Sequence, residues 1–236
     1  MGEGVTVSIV VPTLNEEKYL PRLLESLNWQ TRTDFEVIVA DAASADGTLE
    51  VAQQWNCRLA PGGRPAQGRN QGARLAQGQY LLFLDADVTV PPSFIEDLLA
   101  KMELKQLAVA SGFIIPDSRR LVDHVLLFLS NWYHFVLQLV SPHASGFYIA
   151  ARKTLHDRIG GFNEEVWMAE DHDYVVRAAR HGKFRYLRHP RVHFSTRRFD
   201  KEGRARLIWR FFVMEIYRAF FKEIRKKIVD YDFGKF

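Results

Sequence analysis

The stretch from Tyr80 to Asp87, with the sequence YLLFLDAD, constrains the fold of this chain more than any other feature. Its five leading apolar residues predict a buried strand in a sheet that is covered on both faces. The run ends at Asp85 and Asp87. In extended chain, residues spaced by two place their side chains on the same side. We therefore expect both carboxylates to converge at the carboxyl end of a central strand, where open α/β sheets bind ligands.

Two carboxylates without a neighbouring thiolate are ligands that suit Mg²⁺ or Mn²⁺. Such an ion usually keeps several waters and takes its other ligands from a substrate diphosphate. By itself, however, the Asp-x-Asp pattern is more typical of a strand end with two solvated acids. The remainder of the chain decides between these interpretations.

Strands and helices alternate along the chain, which predicts right-handed βαβ units and a mainly parallel central sheet. Before Tyr80, strands are predicted at 7–12, 35–40 and 58–60, with helices at 15–29, 48–55 and 69–76. Asn15 is the predicted cap of the first helix. After Asp87, one helix is predicted from the Pro91-Pro92 pair to about 105 and another at 171–180, and strands are predicted at 107–115, 145–151 and 185–187. The sequence therefore predicts an α/β fold.

Composition narrows the class of protein. The 236 residues are 47% hydrophobic, enough for a substantial core. The single cysteine, Cys57, excludes an intramolecular disulfide and fits a reducing compartment. A strand begins within a few residues of Met1 without a charged and then apolar leader, so we expect no signal peptide.

The charge is strongly asymmetric. Residues 1–175 carry 14 Lys and Arg against 22 Asp and Glu, a net charge of −8, whereas residues 176–236 carry 18 against 6, a net charge of +12. The basic segment includes a predicted helix at 204–228 with a wide aromatic and aliphatic face. A basic amphipathic helix is typical of a membrane interface, and equally of a helix that packs on the domain or on a second subunit.

Residues 121–140 are strongly apolar and long enough to span a membrane, but polar side chains interrupt the run. Four of these lie near one another on a helical surface: Asp123, Asn131, His134 and Gln138. The pattern predicts a broad amphipathic helix rather than a membrane span.

Several segments, in order, resemble the family 2 glycosyltransferases, an inverting family with a nucleotide-sugar-binding fold of the GT-A type. They are VVPTLNE at 10–16, Asp41 with DGT at 46–48, GRNQG at 68–72, Asp85-Ala86-Asp87, GGFNE at 160–164 and Glu170-Asp171-x-Asp173. Each segment is weakly specific alone, whereas the ordered set, which covers roughly residues 5–195, is highly specific. The resemblance implies a catalytic domain at 1–200, with a nucleotide-sugar half to about 90 and an acceptor half after it. Beyond about residue 200 it says little, and the charge and apolar pattern there predict a basic helical extension at 201–236.

The resemblance implies a donor site for a UDP- or GDP-sugar and a metal site for Mg²⁺ or Mn²⁺. Asp41 is expected at the base, Arg69 over the nucleotide, and Asp85 at the ribose and the metal. Asp87 and, as in some relatives, His193 are expected to bind the metal, although a structural histidine is at least as common. The residues that the resemblance assigns to the donor site are Pro12, Thr13, Asn15, Glu16, Asp41, Arg69 and Asp85. Arg197 and Arg198 are expected to hold the diphosphate, because a guanidinium matches phosphate oxygens; the alternative is ordinary surface charge in a basic region.

Inverting transfer needs a base that takes the acceptor's proton, and the resemblance places this base at Asp171, with Glu170 beside it. Like-charge repulsion from Glu170 and Asp173 is expected to raise the pKa of Asp171. The alternative is an acidic first turn that only stabilises a helix. The family spacing of the upstream Gly-Gly-Phe segment favours the base.

The chain departs from the family pattern at two places. Ala42 and Ala43 follow Asp41, where many relatives have a second acid and a glycine. Val88 and Val90 follow the Asp-x-Asp, where the lipid-phosphate mannosyl branch often has a polar metal ligand. We therefore do not assign the chain to that branch.

Three other functions compete with sugar transfer. A sugar-phosphate nucleotidyltransferase needs a Gly-rich, Arg-containing loop after the first strand, where this chain has PTLNE at 12–16. A nucleic-acid-binding module is disfavoured because the basic segment has no recognisable motif. A non-catalytic family member is disfavoured by the intact acids. The sequence thus favours a metal-dependent transferase at the cytoplasmic face of a membrane, with a lipid-linked acceptor or a homodimer as open possibilities.

Overall fold

One mixed sheet of eight strands forms the centre of the fold, and the computed structural model describes residues 4–221, with side chains up to Tyr217. The strands are β1 (Val7–Thr13), β2 (Phe35–Asp41), β3 (Arg58–Pro61), β4 (Tyr80–Leu84), β5 (Val88–Thr89), β6 (Val109–Asp117), β7 (Tyr148–Arg152) and β8 (Phe184–Ser195). The helices are α1 (Leu20–Asn28), α2 (Thr48–Gln54), α3 (Pro65–Leu75), α4 (Phe94–Leu104), α5 (Leu121–Leu137), α6 (Lys153–Arg158), α7 (Glu170–Ala179), α8 (Arg197–Glu202) and α9 (Arg204–Phe221).

The strand order is β3-β2-β1-β4-β7-β6-β8-β5, and it joins a parallel half to a mixed half. Strands β1 to β4 are parallel, as the alternation of strands and helices predicts. Strand β7 is antiparallel to both β4 and β6, while β6 and β8 are parallel. Strand β4 therefore lies at the centre of the sheet, where the parallel half meets the mixed half at β7.

Helices cover both faces of the sheet because the central strands are apolar on both sides. Ile9 and Val11 of β1 pack with the buried sides of α1 and α4. Val10 of β1 and Phe83 of β4 face the other way, towards α3 and α7. This double burial explains why the run from Tyr80 to Leu84 contains no polar residue.

The first helix begins later than the sequence predicts. Helix α1 starts at Leu20, not at Asn15, whose backbone has a positive φ of 56°. The Asn15 side chain instead accepts a hydrogen bond from the backbone N–H of Ala45 at 2.9 Å, which joins two loops at the end of the sheet. The predicted capping role of Asn15 is therefore wrong, and the residue shapes the loop after β1.

The second half contains more strand than the sequence predicts. Strand β8 extends over twelve residues, not over 185–187, because β6 supplies a parallel partner along most of its length. Strand β5 and the short helices α6 and α8 lie outside every predicted element. Helix α9 starts at Arg204 as predicted, and its predicted continuation over residues 222–228 lies outside the described residues.

Helix α5 is amphipathic as predicted, but its polar side faces inward. Asp123 and Asn131 are buried, and Asn131 bonds the backbone of Ile114, where the register of β6 against β8 shifts. The N–H of Ile114 donates to Asn131 Oδ1 at 3.0 Å, and Asn131 Nδ2 donates to the Ile114 carbonyl at 2.8 Å. None of the helices in the described part of the chain has the length and hydropathy needed to cross a membrane.

Replacing Asn131 tests this inward polar contact. The Asn131→Leu variant keeps the volume but leaves the buried N–H and C=O of Ile114 unsatisfied, so we expect the free energy of unfolding to fall by about 3 kcal/mol. Urea denaturation measures the change. Leu129→Ala, on the exposed side of the same helix, is the control and should change it by less than about 0.5 kcal/mol. Equal stability of Asn131→Leu and the native chain would contradict the contact.

Candidate functional site

The Asp-x-Asp segment lies at the carboxyl end of β4, as predicted, with its two acids on one side and Ala86 buried between them. The Asp85 N–H donates to the Phe147 carbonyl at 3.2 Å, and the Asp87 carbonyl accepts from the Ser195 N–H at 2.9 Å. The ends of three strands, β4, β7 and β8, therefore hold this segment. Its two carboxylates pair with two different arginines, Asp85 with Arg69 and Asp87 with Arg197.

The first arginine is Arg69 of α3, which is almost completely buried. Its guanidinium donates to Asp85 Oδ1 at 2.9 Å and to Glu170 Oε1 at 2.6 Å. Helix α3 lies close enough to β1 for this because Gly72 has no side chain; a Cβ atom there would collide with Val10. Arg69 thereby connects the end of β4 with the start of α7.

Burial raises the pKa of Asp85 to about 6, against the lowering effect of the Arg69 guanidinium. The negative charges of Asp87 and Glu170 raise it further. A carboxyl group with such a pKa gains from any additional cation, because a positive charge stabilises its ionised form. The electrostatics of Asp85 therefore fit a site that receives a metal ion.

The second arginine is Arg197, at the start of α8. It donates to Glu16 Oε1 at 2.5 Å and to Asp87 Oδ2 at 3.1 Å, and its guanidinium lies 4.1 Å from the ring centre of Tyr19. Burial raises the pKa of Glu16 to about 7, although Arg197 acts to lower it. Within the described residues, Glu16 Oε2 and Arg197 Nη1 are buried without a hydrogen-bond partner. Two such atoms beside Asp87, at the carboxyl end of the sheet, indicate a place for a polar ligand, and we call the space between the ends of β1, β4 and β8 and the start of α7 the cleft.

Asp41 organises the loop after β2. Its carboxylate accepts hydrogen bonds from the Thr13 hydroxyl at 2.9 Å, the Ser44 hydroxyl at 2.6 Å and the Ser44 N–H at 2.8 Å. Ala43 has a positive φ of 61°, the conformation that favours glycine, and it stands where many relatives of the resembled family have one. The geometry thus supplies a turn-stabilising role for Asp41, while its expected contact with a base stays a prediction.

The acidic cluster forms the first turn of α7, after Ala169 in the left-handed region with φ of 60°. Asp171 is half-buried, and a Cβ atom on Gly146 would lie 2.8 Å from its Oδ2, so the backbone near β7 approaches this carboxylate closely. The two acidic neighbours of Asp171 are both ion-paired in the structure. Glu170 is paired with Arg69, and Asp173 is paired with Arg177 at 2.8 Å, so each neighbour has its own counter-ion.

His193 does not join the two aspartates in a three-residue group. It is exposed on β8, opposite Thr89 of β5, and the described part of the chain contains no cluster of three or more His, Cys, Asp or Glu side chains that could hold a metal. Arg198 is half-buried, and this burial lowers its pKa. A metal at this edge would therefore take its protein ligands from Asp85 and Asp87.

Three residues of the site have roles that the sequence analysis does not contain. Tyr19 stacks on Arg197, Ser44 holds Asp41, and Gly146 receives Asp171. Gly146 lies three residues after His143 in a short loop. Its positive φ of 76° is a conformation that glycine adopts readily, so the residue type is consistent with a tight turn but does not indicate the contact with Asp171. The sequence does not indicate the role of Tyr19, because its partner Arg197 is distant along the chain. It does not single out Ser44 either, because a serine close to an aspartate is common in turns.

Replacing Arg69 tests the central pairing. In Arg69→Met the carboxylates of Asp85 and Glu170 lose their shared cation, so we expect the free energy of unfolding to fall by about 3 kcal/mol. Urea denaturation at pH 7.5 measures it. Arg74→Met is the control, since Arg74 lies on the same helix, is exposed and bonds only the side chain of Gln71 among the interactions described. If the free energy of unfolding falls equally in both variants, the ion pairs of Arg69 with Asp85 and Glu170 do not stabilise the fold as proposed.

Solved structures confirm the predicted fold. The chain superposes on crystal structures of Staphylococcus aureus TarS, one of residues 1–349 in complex with UDP-GlcNAc, with a TM-score of 0.64, 25% identity and coverage of 81% of this chain and 59% of that chain. It also superposes on the mannosyltransferase PcManGT from Pyrobaculum calidifontis, in complex with GDP-Man and Mn²⁺, with a TM-score of 0.65, 21% identity and coverage of 81% and 57%.

Sequence comparison gives the same grouping. The poly(ribitol-phosphate) β-N-acetylglucosaminyltransferase TarS of S. aureus is 29% identical over 190 residues, which are 72% of this chain and 32% of that relative. The chondroitin synthase of Pasteurella multocida is 30% identical over 198 residues, 77% of this chain and 20% of that relative. The chain thus spans a third or less of the length of these relatives. The family model described as glycosyl transferase family 2 matches residues 8–160, so the chain belongs to the family 2 glycosyltransferases.

Proposed function

We propose that this chain transfers a sugar from a UDP- or GDP-sugar to an acceptor, with the aid of Mg²⁺ or Mn²⁺ and with inversion at the sugar carbon. The observation that carries the proposal is the meeting of Asp85 and Glu170 on Arg69, with Asp87 and Asp171 beside them. This brings the acids expected for the donor and for the acceptor to one cleft. Relatives bind UDP, UDP-GlcNAc and GDP-Man, and one of them binds Mn²⁺, which supports this class of donor.

The residues present fit a hard divalent cation. Asp85 and Asp87 offer carboxylate oxygens, and Mg²⁺ or Mn²⁺ is commonly held by one or two carboxylates together with substrate phosphates. When bound, the ion would neutralise charge that develops on the departing diphosphate. Arg197, which has a buried nitrogen without a partner in the described chain, is suited to phosphate oxygens because its guanidinium donates two parallel hydrogen bonds.

Asp171 is the proposed general base. Its carboxylate would take the proton of an acceptor hydroxyl while the acceptor oxygen attacks the sugar carbon from the face opposite the diphosphate. A new C–O bond forms, and the bond to the diphosphate breaks with its electron pair on the leaving oxygen. A single displacement of this kind inverts the configuration. An acceptor phosphate is largely ionised at neutral pH and would need no base.

The acceptor is proposed to be lipid-linked or membrane-associated, with the protein peripheral at the cytoplasmic face of a membrane. The charge of +12 on residues 176–236 and the apolar side of α9 support this location. Family membership favours sugar transfer over the nucleotidyl-transfer and nucleic-acid-binding alternatives.

The metal assignment is tested with Asp87→Asn. We expect this variant to lose metal-dependent binding of UDP and GDP, because one neutral amide replaces a carboxylate ligand while the volume stays the same. Isothermal titration with and without Mn²⁺ measures it. Asp157→Asn, an exposed acid paired with Lys153, is the control and should bind normally. Undiminished metal dependence in Asp87→Asn would move the metal elsewhere.

The base assignment is tested with Asp171→Asn. Since a base acts on the acceptor and not on the nucleotide, donor binding should persist while the rate falls by about 10²–10⁴. The assay is hydrolysis of the nucleotide sugar, in which water takes the acceptor's place, with Asp157→Asn again as control. A near-normal rate would exclude Asp171, and Glu170 would then be the first residue to examine. Loss of donor binding would also contradict the assignment.

A further inference from the structure

The buried and exposed sides of α5 are reversed relative to an ordinary surface helix. Its inward side carries Asp123 and Asn131, with Leu127 between them. Asp123 pairs with Arg204 at 2.6 and 2.8 Å, and Asn131 bonds the backbone of Ile114. These polar groups are satisfied by protein partners, so they do not require water. The apolar residues of the helix are left to face outward.

The outward side of α5 is a continuous apolar stripe at helical spacing. Its members are 36–77% exposed, and they are Leu121, Val125, Phe128, Leu129, Trp132 and Val136. Leu139 and Val140, just after the helix, are more than 80% exposed. Apolar surface in water is unfavourable by about 25 cal/mol per Å², and contiguous apolar patches of this kind mark interaction sites.

Helix α9 adds a second stripe beside the first. Leu207 is buried, whereas five other apolar residues of the helix are 44–63% exposed: Ile208, Trp209, Phe211, Phe212 and Ile216. Two side-chain contacts fasten α9 to α5. Arg204 pairs with Asp123 near one end, and the Tyr133 hydroxyl donates to Glu215 at 2.9 Å near the other. We call the two exposed stripes together the α5–α9 surface.

We propose that the α5–α9 surface docks on an anionic lipid bilayer, with both helices in the plane of the interface, and that it brings a lipid-anchored acceptor to the catalytic cleft. This inference rests on the proposed sugar-transfer function and deepens it. It makes α5, rather than the basic C-terminal segment alone, the main apolar anchor.

The chemistry of the rim favours lipid as the occupant. Arg119 and Arg206 are exposed at the beginnings of the two helices, beside Arg120, which is exposed but lies 3.5 Å from Asp200. Each basic residue near an anionic leaflet contributes about 1 kcal/mol of attraction. Trp132 and Trp209 belong to the residue types that concentrate at membrane interfaces. A second copy of this chain would bring the same basic rim against itself, which is unfavourable.

The surface is also adjacent to the cleft. Glu215 of α9 lies 3.9 Å from His143 Nε2, and the His143 ring centre lies 4.2 Å from that of His172. His172 directly follows Asp171 in α7. An acceptor whose lipid tail lies in the bilayer beside α9 would therefore present its head group within a few side chains of the proposed base.

Vesicle co-sedimentation of the full chain tests the inference. We expect binding to vesicles of phosphatidylcholine with phosphatidylglycerol, weaker binding to phosphatidylcholine alone, and weaker binding at high salt. The double variant Phe128→Ser, Leu129→Ser on α5 should bind about 10-fold more weakly. The control is Trp29→Ser with Leu104→Ser, two apolar residues elsewhere on the surface that are more exposed than Phe128 and Leu129, and this variant should bind like the native chain.

Two further measurements make the outcome decisive. Sedimentation equilibrium without lipid reports the oligomeric state; a dimer that dissociates in the α5 variant, without vesicle binding, would assign the surface to a second copy and overturn the inference. Titration with UDP or GDP and Mn²⁺ should be unchanged in the α5 variant. Nucleotide binding without vesicle binding would refute the docking surface alone, whereas vesicle binding without any nucleotide binding would refute the proposed transferase.

Discussion

The buried guanidinium of Arg69 is the interaction on which the arrangement of the cleft depends. A charge removed from water is tolerated only when it is paired and hydrogen-bonded, and Arg69 meets this condition with Asp85 of one half and Glu170 of the other. The start of α7 must therefore lie close to the end of β4. Asp171 is the next residue in the chain, so the same pairing sets the distance between the proposed base and the proposed metal ligands. The proposed donor and acceptor chemistry would therefore be connected through one side chain.

The parts of the fold that the sequence predicts well are those with a strong local pattern. Strands β1, β2 and β4 are continuous apolar runs, and the two-residue period of a strand places Asp85 and Asp87 together. Strand β8 is different. Most of its length carries alternating polar residues around Pro190, and it becomes a strand because β6, which is distant in sequence, offers a parallel partner. Pairing of this kind has no local signature.

The site shows the same division between local and distant causes. The acids were identifiable by type and order, but the pairing of Arg69 with Glu170 joins residues that are 101 positions apart. The expectation of repulsion around Asp171 stays a prediction, and the sequence does not show that both acidic neighbours pair with an arginine. In α5, periodicity shows that Asp123 and Asn131 share a side, but not that this side faces inward. The direction is decided by Arg204 and by the Ile114 backbone, which require polar partners.

Arg197 connects the charge balance of the cleft with the proposed chemistry. It pairs with Glu16 and Asp87, which are acids of the two segments expected to meet the donor. A metal ion at this place would attract the Asp87 carboxylate, and a diphosphate would attract the Arg197 guanidinium. Both would therefore compete with the ion pair between Arg197 and Asp87. Arg197 would exchange the Asp87 carboxylate for phosphate oxygens while Asp87 exchanged the guanidinium for the ion, and Arg197 would keep its hydrogen bond to Glu16 through a different nitrogen. Exchange of one ionic partner for another costs less than removal of a buried charge from every partner. Under the proposed function, a donor and its cation would therefore leave Arg197, Asp87 and Glu16 each with a partner of opposite charge.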